Sequence, residues 1–278
     1  MLFKESEIKE REANFYKDII RLYLKHGSVD QVFSATHYDL PISYPGMHHL
    51  IKRWGIVKSV GPNSKLSEAL TFLTLLTESK MPLEALYRKL PPSFKTSLST
   101  MHRIAHNVKE GVVRRYGTAL MITSKLDEES VLVGEDLGHR AITLPMTYSS
   151  PKEETKTSIL RVLQQEVFSE LAVEKADLAK LISQNPTPFM NLVIADIQVS
   201  VYSIKLDHSF LEKNKFSSYK VQNFKFVSPD YLLQDANCQH VRPGVVDIVN
   251  GYKEYLSGDL VNVNQISNLN LALVGQYV

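Results

Sequence analysis

The chain has 278 residues, 32 Lys and Arg against 30 Asp and Glu, and an apolar share of 44%. Those proportions suit a folded polypeptide of about two domains and exclude a disordered, fibrous or membrane-embedded class. Cys238 is the only cysteine, which excludes an intrachain disulfide and fits a reducing, cytoplasmic setting; Met1-Leu2-Phe3-Lys4 leads into charge, and no apolar run reaches the ~20 residues of a bilayer span.

The charge is unevenly placed. Residues 1–116 hold 18 Lys and Arg and 11 Asp and Glu, a net of +7, while the remainder is −5, together the overall +2. Six of the nine histidines fall in the basic part. Such asymmetry points to an anionic partner for the first part.

From the N-terminus, Asn14 to Lys25 has helical spacing (Phe15, Ile19, Ile20, Leu22, Tyr23) and His26-Gly27 supplies a stop. Ser28 is placed to cap a helix from Val29 to Ala35, and a turn runs through Tyr38 to Pro41. Ser43 then caps Tyr44 to Trp54, with Pro45 near the helix start where its missing N–H costs nothing. Met47, Leu50, Ile51 and Trp54 make an apolar stripe, leaving Tyr44, His48, His49, Lys52 and Arg53 on other faces. The layout repeats: Ser67 before Glu68 to Glu78, Pro82 before Leu83 to Leu90, a turn from Pro91 to Thr96, and Ser97 before Leu98 to Glu110, ended by Gly111. The last helix has Leu98, Met101, Ile104, Ala105 and Val108 on one stripe. Gly61-Pro62-Asn63-Ser64 reads as the linker between the units.

Helix pairs with a polar, basic second helix resemble the tandem helix-turn-helix modules of bacterial regulators and transposase-type proteins. That resemblance implies double-stranded DNA as partner, met by the N-terminal parts of the second helices. The expected contacts are Ser43, Tyr44, His48, His49, Lys52 and Arg53 in the first unit, and Ser97, Ser99, Thr100, His102, Arg103 and His106 in the second. Basic faces of this kind also occur on helices that serve only packing. His48-His49 makes a poor metal pair, because adjacent residues point in different directions on a helix.

Beyond residue 113 the pattern changes. Arg115 to Ile122 and Val131 to Asp136 read as two apolar strands around the polar turn Ser124 to Ser130. Asn191 to Leu206 is a long β-prone run, Phe224 to Leu233 a strand and short helix, and Asp247 to Leu256 an amphipathic helix. Residues 257 to 278 read as an added strand or an interface.

Between these lie Leu144-Pro145-Met146-Thr147, Lys152-Glu153-Glu154 and Arg161-Val162-Leu163-Gln164-Gln165-Glu166-Val167-Phe168: a strand, a loop and a helix. Carboxylates three and four apart share a helical face and suit a hard divalent cation. This stretch resembles the Nudix box, Gly, five residues, Glu, seven residues, then Arg-Glu-apolar-x-Glu-Glu-x-Gly. Aligned on Arg161, Glu153 and Glu166 keep their places. Thr147 stands for the first Gly, Val162 and Gln165 for two of the helix carboxylates, and Phe168 for the closing Gly. In that family the helix carboxylates hold the metal that bridges a nucleoside diphosphate's phosphates. Valine cannot ligate a metal and glutamine is a weaker, neutral donor, so the frame survives while the chemistry reads as lost. Glu153, Glu166 and Glu170, with Glu154 beside them, remain candidates for a displaced cation site, which would take Mg²⁺ if functional; no other cofactor is implied.

The expected fold class is α+β: a tandem helix-turn-helix module (residues 1–60 and 65–113), a Nudix-like α/β/α sandwich (114–256), and a C-terminal extension (257–278). The expected function is DNA binding, as a transcriptional regulator, with a degenerate Nudix-like half that senses a nucleotide-type ligand or makes protein contacts, and a homodimer left open. The alternatives are an active metal-dependent hydrolase of nucleoside diphosphate derivatives, or a structural or mobile-element protein that holds DNA.

Overall fold

The computed structural model of the chain describes residues 5–60, 66–79, 81–90, 96–125, 127, 129–137, 140–207, 210, 215–234, 240–258 and 263–277. The expected linker 61–64, most of the turn 91–96, and Cys238 lie outside them.

Six helices come first: α1 (Glu5–His26), α2 (Val29–Ala35), α3 (Tyr44–Arg53), α4 (Leu66–Ser79), α5 (Leu83–Tyr87) and α6 (Leu98–Lys109). The caps do what their chemistry predicts, since Ser28, Ser43 and Ser97 accept from the backbone N–H of Gln31, Gly46 and Thr100. α1 begins nine residues before the expected Asn14. Its first part, rich in Glu, Lys and Arg, has strong helix propensity but little apolar periodicity to reveal it. α4 starts at Leu66, so Ser67 lies within the helix instead of capping it, and its side chain lies outside the described residues. α5 closes after Tyr87, short of the expected Leu90.

The apolar stripes bury as their spacing requires. Met47, Leu50 and Ile51 join Ile19, Ile20, Val32 and Phe33 in one core, whereas Met101, Ile104 and Val108 join Phe72, Leu73, Leu76 and Leu86 in another. Trp54 packs at the edge of the first core.

The rest of the chain is a mixed sheet with helices on both faces. Its strands are β1 (Arg115–Ser124), β2 (Val131–Asp136), β3 (Ile142–Thr143), β4 (Met146–Ser149), β5 (Met190–Ile194), β6 (Ile197–Leu206), β7 (Val221–Val227) and β8 (Val263–Ile266). β1 pairs in parallel with β6 along its whole length and antiparallel with β4; β7 and β3 pair with β2, and β8 lies parallel on β5. Alternation along β1 splits two layers: Ala119 and Met121 face one core, Leu120 and Ile122 the other. The first layer is completed by α9 (Pro229–Leu233) and α10 (Val245–Ser257) through Leu232, Val245, Ile248 and Tyr252. The second is completed by α7 (Thr155–Val162), its π-helical continuation Leu163–Val167, and α8 (Lys175–Ala179). α11 (Asn268–Tyr277) follows β8 and places Leu273 in the core of α4 to α6.

The run Asn191 to Leu206 is two strands. They turn through Ala195 and Asp196, with Ala195 at φ 57° and no glycine to announce it. The turn is held by three elements. Asn270 of α11 accepts from the Ala195 N–H at 2.6 Å and donates to its carbonyl at 2.9 Å. The buried Asp196 carboxylate accepts from Asn107 of α6 at 3.0 Å and from two nitrogens of Arg115. Arg115 also donates to the Tyr148 hydroxyl at 2.7 Å.

Asp196→Ala strands the Arg115 guanidinium, itself mostly buried, and should cost about 3–5 kcal/mol in urea denaturation; a cost under about 1 kcal/mol would show that the network is dispensable.

Candidate functional site

The box stretch supplies β4, a loop with Glu153, and the helix carrying Arg161 to Val167. Arg161 is 2% exposed. It donates to both oxygens of Glu153, one at 2.5 Å, to the Tyr148 carbonyl at 3.4 Å, and through Nε to the Lys58 carbonyl at 2.7 Å. The Arg–Glu pair therefore ties the helix to the loop ahead of it, and one guanidinium edge reaches the segment that leaves α3.

That segment, Gly55 to Ser59, is gripped further. The Gln164 side chain accepts from the Val57 N–H at 2.9 Å and donates to the Gly55 carbonyl at 3.3 Å. Gln165 donates to the Val57 carbonyl at 2.9 Å and accepts from the Ser59 hydroxyl at 3.1 Å. Both glutamines are buried. Each amide offers both donor and acceptor groups, the complement of a main-chain peptide. Gly55 is required where the segment turns in: its φ is +62°, and a Cβ there would sit 2.7 Å from that of Lys175. Two further contacts flank this joint, Arg21 Nε to the Glu170 carbonyl at 2.7 Å and Lys175 N–H to the Trp54 carbonyl at 3.4 Å.

The three carboxylates expected near a cation are kept apart, each with its own partner. Glu153 belongs to Arg161, Glu166 is 2.6 Å from the Lys220 ammonium, and Glu170 accepts from the Ser217 hydroxyl. Glu154 is the residue before α7. Val162 is fully buried in the core of the second layer. Arg242, also buried, donates to the Thr143 hydroxyl at 3.1 Å, while its Nε has no hydrogen-bond partner. Burial pulls its pKa below the ordinary value, opposed by Asp136, Glu166 and Tyr148.

The residues therefore do not fit Mg²⁺. One box position offers no donor atom, the second spends its amide on the Val57 carbonyl and the Ser59 hydroxyl, and the retained Glu153 and Glu166 are each neutralised by a protein cation. Among the described residues no three His, Cys, Asp or Glu side chains gather as a metal site. Sequence reasoning missed the 55–59 segment, Lys220 and Arg242. Lys220 lies 54 residues from Glu166, with nothing local to link them.

On α3, Ser43, Tyr44, His49, Lys52 and Arg53 are exposed and His48 half-buried; on α6, Ser97, Ser99, His102, Arg103 and His106 are exposed and Thr100 half-buried. Several have contacts within the helices. Tyr44 donates to Asp30 at 2.9 Å, which raises its pKa, and His102 lies 2.9 Å from Glu84. Ser97 donates to the Thr100 hydroxyl at 3.0 Å as well as capping its helix. Arg53 stands over the Tyr16 ring at 5.8 Å.

No family model and no curated protein matches the chain. Solved structures are similar to about half of it. The Ap4A hydrolase of C. elegans, in a binary complex, is 15% identical over 52% of this chain and 99% of its own, with a TM-score of 0.36. The MutT protein of Methanosarcina mazei is 11% identical, covering 53% and 96% with a TM-score of 0.36. A Nudix hydrolase of Nitrosomonas europaea is 11% identical, covering 55% and 78% with the same TM-score. No helix among the described residues is long and apolar enough to cross a membrane.

Replacing the Gln164 amide, as in Gln164→Met, should speed hydrogen exchange at the Val57 amide by about tenfold. Gln165→Leu, which leaves the Val57 carbonyl and Ser59 hydroxyl unpaired, should cost about 1–2 kcal/mol in chemical denaturation. Unchanged exchange and stability in both variants would mean that the grip is incidental.

Proposed function

We propose that this chain is a DNA-binding protein, a transcriptional regulator, in which a Nudix-like frame without hydrolase chemistry holds the basic helical half in place. The observation that carries the reading is the grip of the box helix on Gly55 to Lys58. Gln165, where the Nudix resemblance implies a carboxylate, and Gln164 beside it present amides to the main chain that leads out of α3. A surface used for phosphate chemistry would have to stay open; this one is closed by the chain's own backbone.

The DNA reading rests on α3 and α6. Each is capped by a serine, buries one apolar stripe, and leaves cationic and hydrogen-bonding side chains outside. Lys52, Arg53, Arg103 and Lys109 suit phosphates, and the residues at the N-terminal ends suit base edges.

Full-length protein should bind a random 20-base-pair duplex in a salt-dependent way. Lys52→Ala with Arg53→Ala should flatten the slope of log affinity against log salt by about 0.9 for each phosphate that the variant no longer neutralises. Absence of duplex binding at low salt would sink the reading. Sequence selection separates a regulator from a protein that merely holds DNA, because phosphate contacts carry no sequence information.

The retained Glu153 and Glu166 favour a second reading, a metal-dependent hydrolase of nucleoside diphosphate derivatives. Under the proposal, about 10 mM Mg²⁺, enough to fill a weak site, leaves the thermal midpoint unchanged, and ADP-ribose and dinucleotides are not turned over. Turnover abolished by Glu166→Gln would establish the hydrolase instead.

A further inference from the structure

The nineteen residues Leu260 to Val278 contain no Asp, Glu, Lys, Arg or His, in a sequence whose charged share is 22%. They include β8 and α11. Among the described residues the exposed leucines and isoleucines are Leu137, Leu256, Ile266 and Leu271, so three of the four lie at or after the end of α10. α11 is apolar on more than its packed stripe. Leu273 is buried, and Leu269 and Val274 pack half-buried against the core of α4 to α6. Leu271 is nonetheless 58% exposed, with Ala272 exposed beside it. A surface helix ordinarily turns polar side chains to that side.

β8 ends the sheet. Its one partner strand among the described residues is β5, on which it lies parallel from Val263 to Ile266. The Ser267 N–H donates inward to the Val193 carbonyl at 2.9 Å. Main-chain groups point alternately to the two sides of a strand, so Gln265 bonds inward as Ser267 does, while Asn264 and Ile266 turn their N–H and C=O groups outward. Among the described residues nothing receives them. Folded proteins blunt such an edge with a charge, a proline or a bulge. β7, paired only with β2, has two of these: Lys225, and a shift of register between Val133 and Glu135. β8 has none, and its Ile266 is 61% exposed.

We propose that β8 pairs antiparallel with β8 of a second copy of this chain about a two-fold axis, so that one sheet runs through both copies and Ile266 and Leu271 are covered at the seam. The chemistry of the edge selects that occupant. The segment offers no charge with which to choose a charged partner. Its directional groups are those of the main chain, and a strand placed antiparallel about a two-fold is its own complement. Each copy brings the same apolar side chains to the seam, and depletion of charge marks the buried centre of an interface. This inference is independent of the nucleic-acid reading.

The test is sedimentation of the full chain without nucleic acid. It should give twice the 31.5 kDa monomer mass at about 100 µM and the monomer mass at about 1 µM. The Asn264 and Ile266 amides should exchange about tenfold more slowly in the concentrated sample. Ile266→Lys, which places a charge at an exposed position, should return the concentrated sample to monomer. Asn264→Pro should do the same, because it removes an N–H that the ladder with β5 does not use. Leu137→Lys, on the far side of the sheet, should leave the dimer intact. A monomer at about 100 µM overturns the proposal. So does a dimer that Ile266→Lys leaves intact or that Leu137→Lys also dissolves, and so do edge amides whose exchange ignores concentration.

Discussion

Arg161 has a guanidinium that is almost wholly withdrawn from water, and a buried cation must be paired and hydrogen-bonded or it unfolds what surrounds it. Its partners come from three places: Glu153 in the loop, Tyr148 at the end of β4, and Lys58 on the way out of α3. The first two ties hold a loop against its own helix. The third makes the helical half a requirement of the sheet's electrostatics, because without the Lys58 carbonyl the Nε–H would lose its acceptor. Gln164 and Gln165 extend the same arrangement by one helical step. The two parts of the chain are therefore satisfied together, through hydrogen bonds that neither part can complete alone.

The same logic explains the retained carboxylates. Glu166 keeps its box position yet lies against Lys220, with Arg242 contributing positive charge nearby. A partly buried carboxylate has to be compensated, and here fixed side chains provide the compensation. The Lys220 ammonium, held just ahead of β7, differs from a divalent ion in one decisive respect: it cannot bridge two phosphate oxygens and activate water while staying bonded to its own chain.

Much of the architecture was legible in the sequence because its signals are local. Ser28, Ser43 and Ser97 cap as their positions imply, and the period-two split of β1 between two cores follows from its apolar run. Arg161 and Glu153 were legible as box positions through their spacing, but Glu153 read as a candidate cation ligand and not as the partner of Arg161. What escaped was non-local or chemically quiet. Ala195-Asp196 turns a hairpin without glycine or asparagine, and its stabilisers Asn107, Arg115 and Asn270 lie on three separate elements. Gln165 reads in sequence as a damaged metal ligand; only its partners show it to be a main-chain grip. The exposed positions on α3 and α6 follow from the apolar stripes opposite them, but the engagement of Tyr44 with Asp30 and His102 with Glu84 depends on neighbours that no periodicity reveals.

The long parallel ladder of β1 and β6 has a further consequence, for the order in which the molecule assembles. It pairs Arg115 with Ile197 and continues to Ser124 with Leu206, so no rung forms until segments 82 residues apart have met. Closing so long a loop is entropically costly before any rung repays it. The helical units share that dependence, since Leu273 of α11 completes the core of α4 to α6 and Ala172 that of α1 to α3. The Gly55 to Ser59 segment, whose partners sit more than a hundred residues away, is left waiting until the box helix exists to receive it.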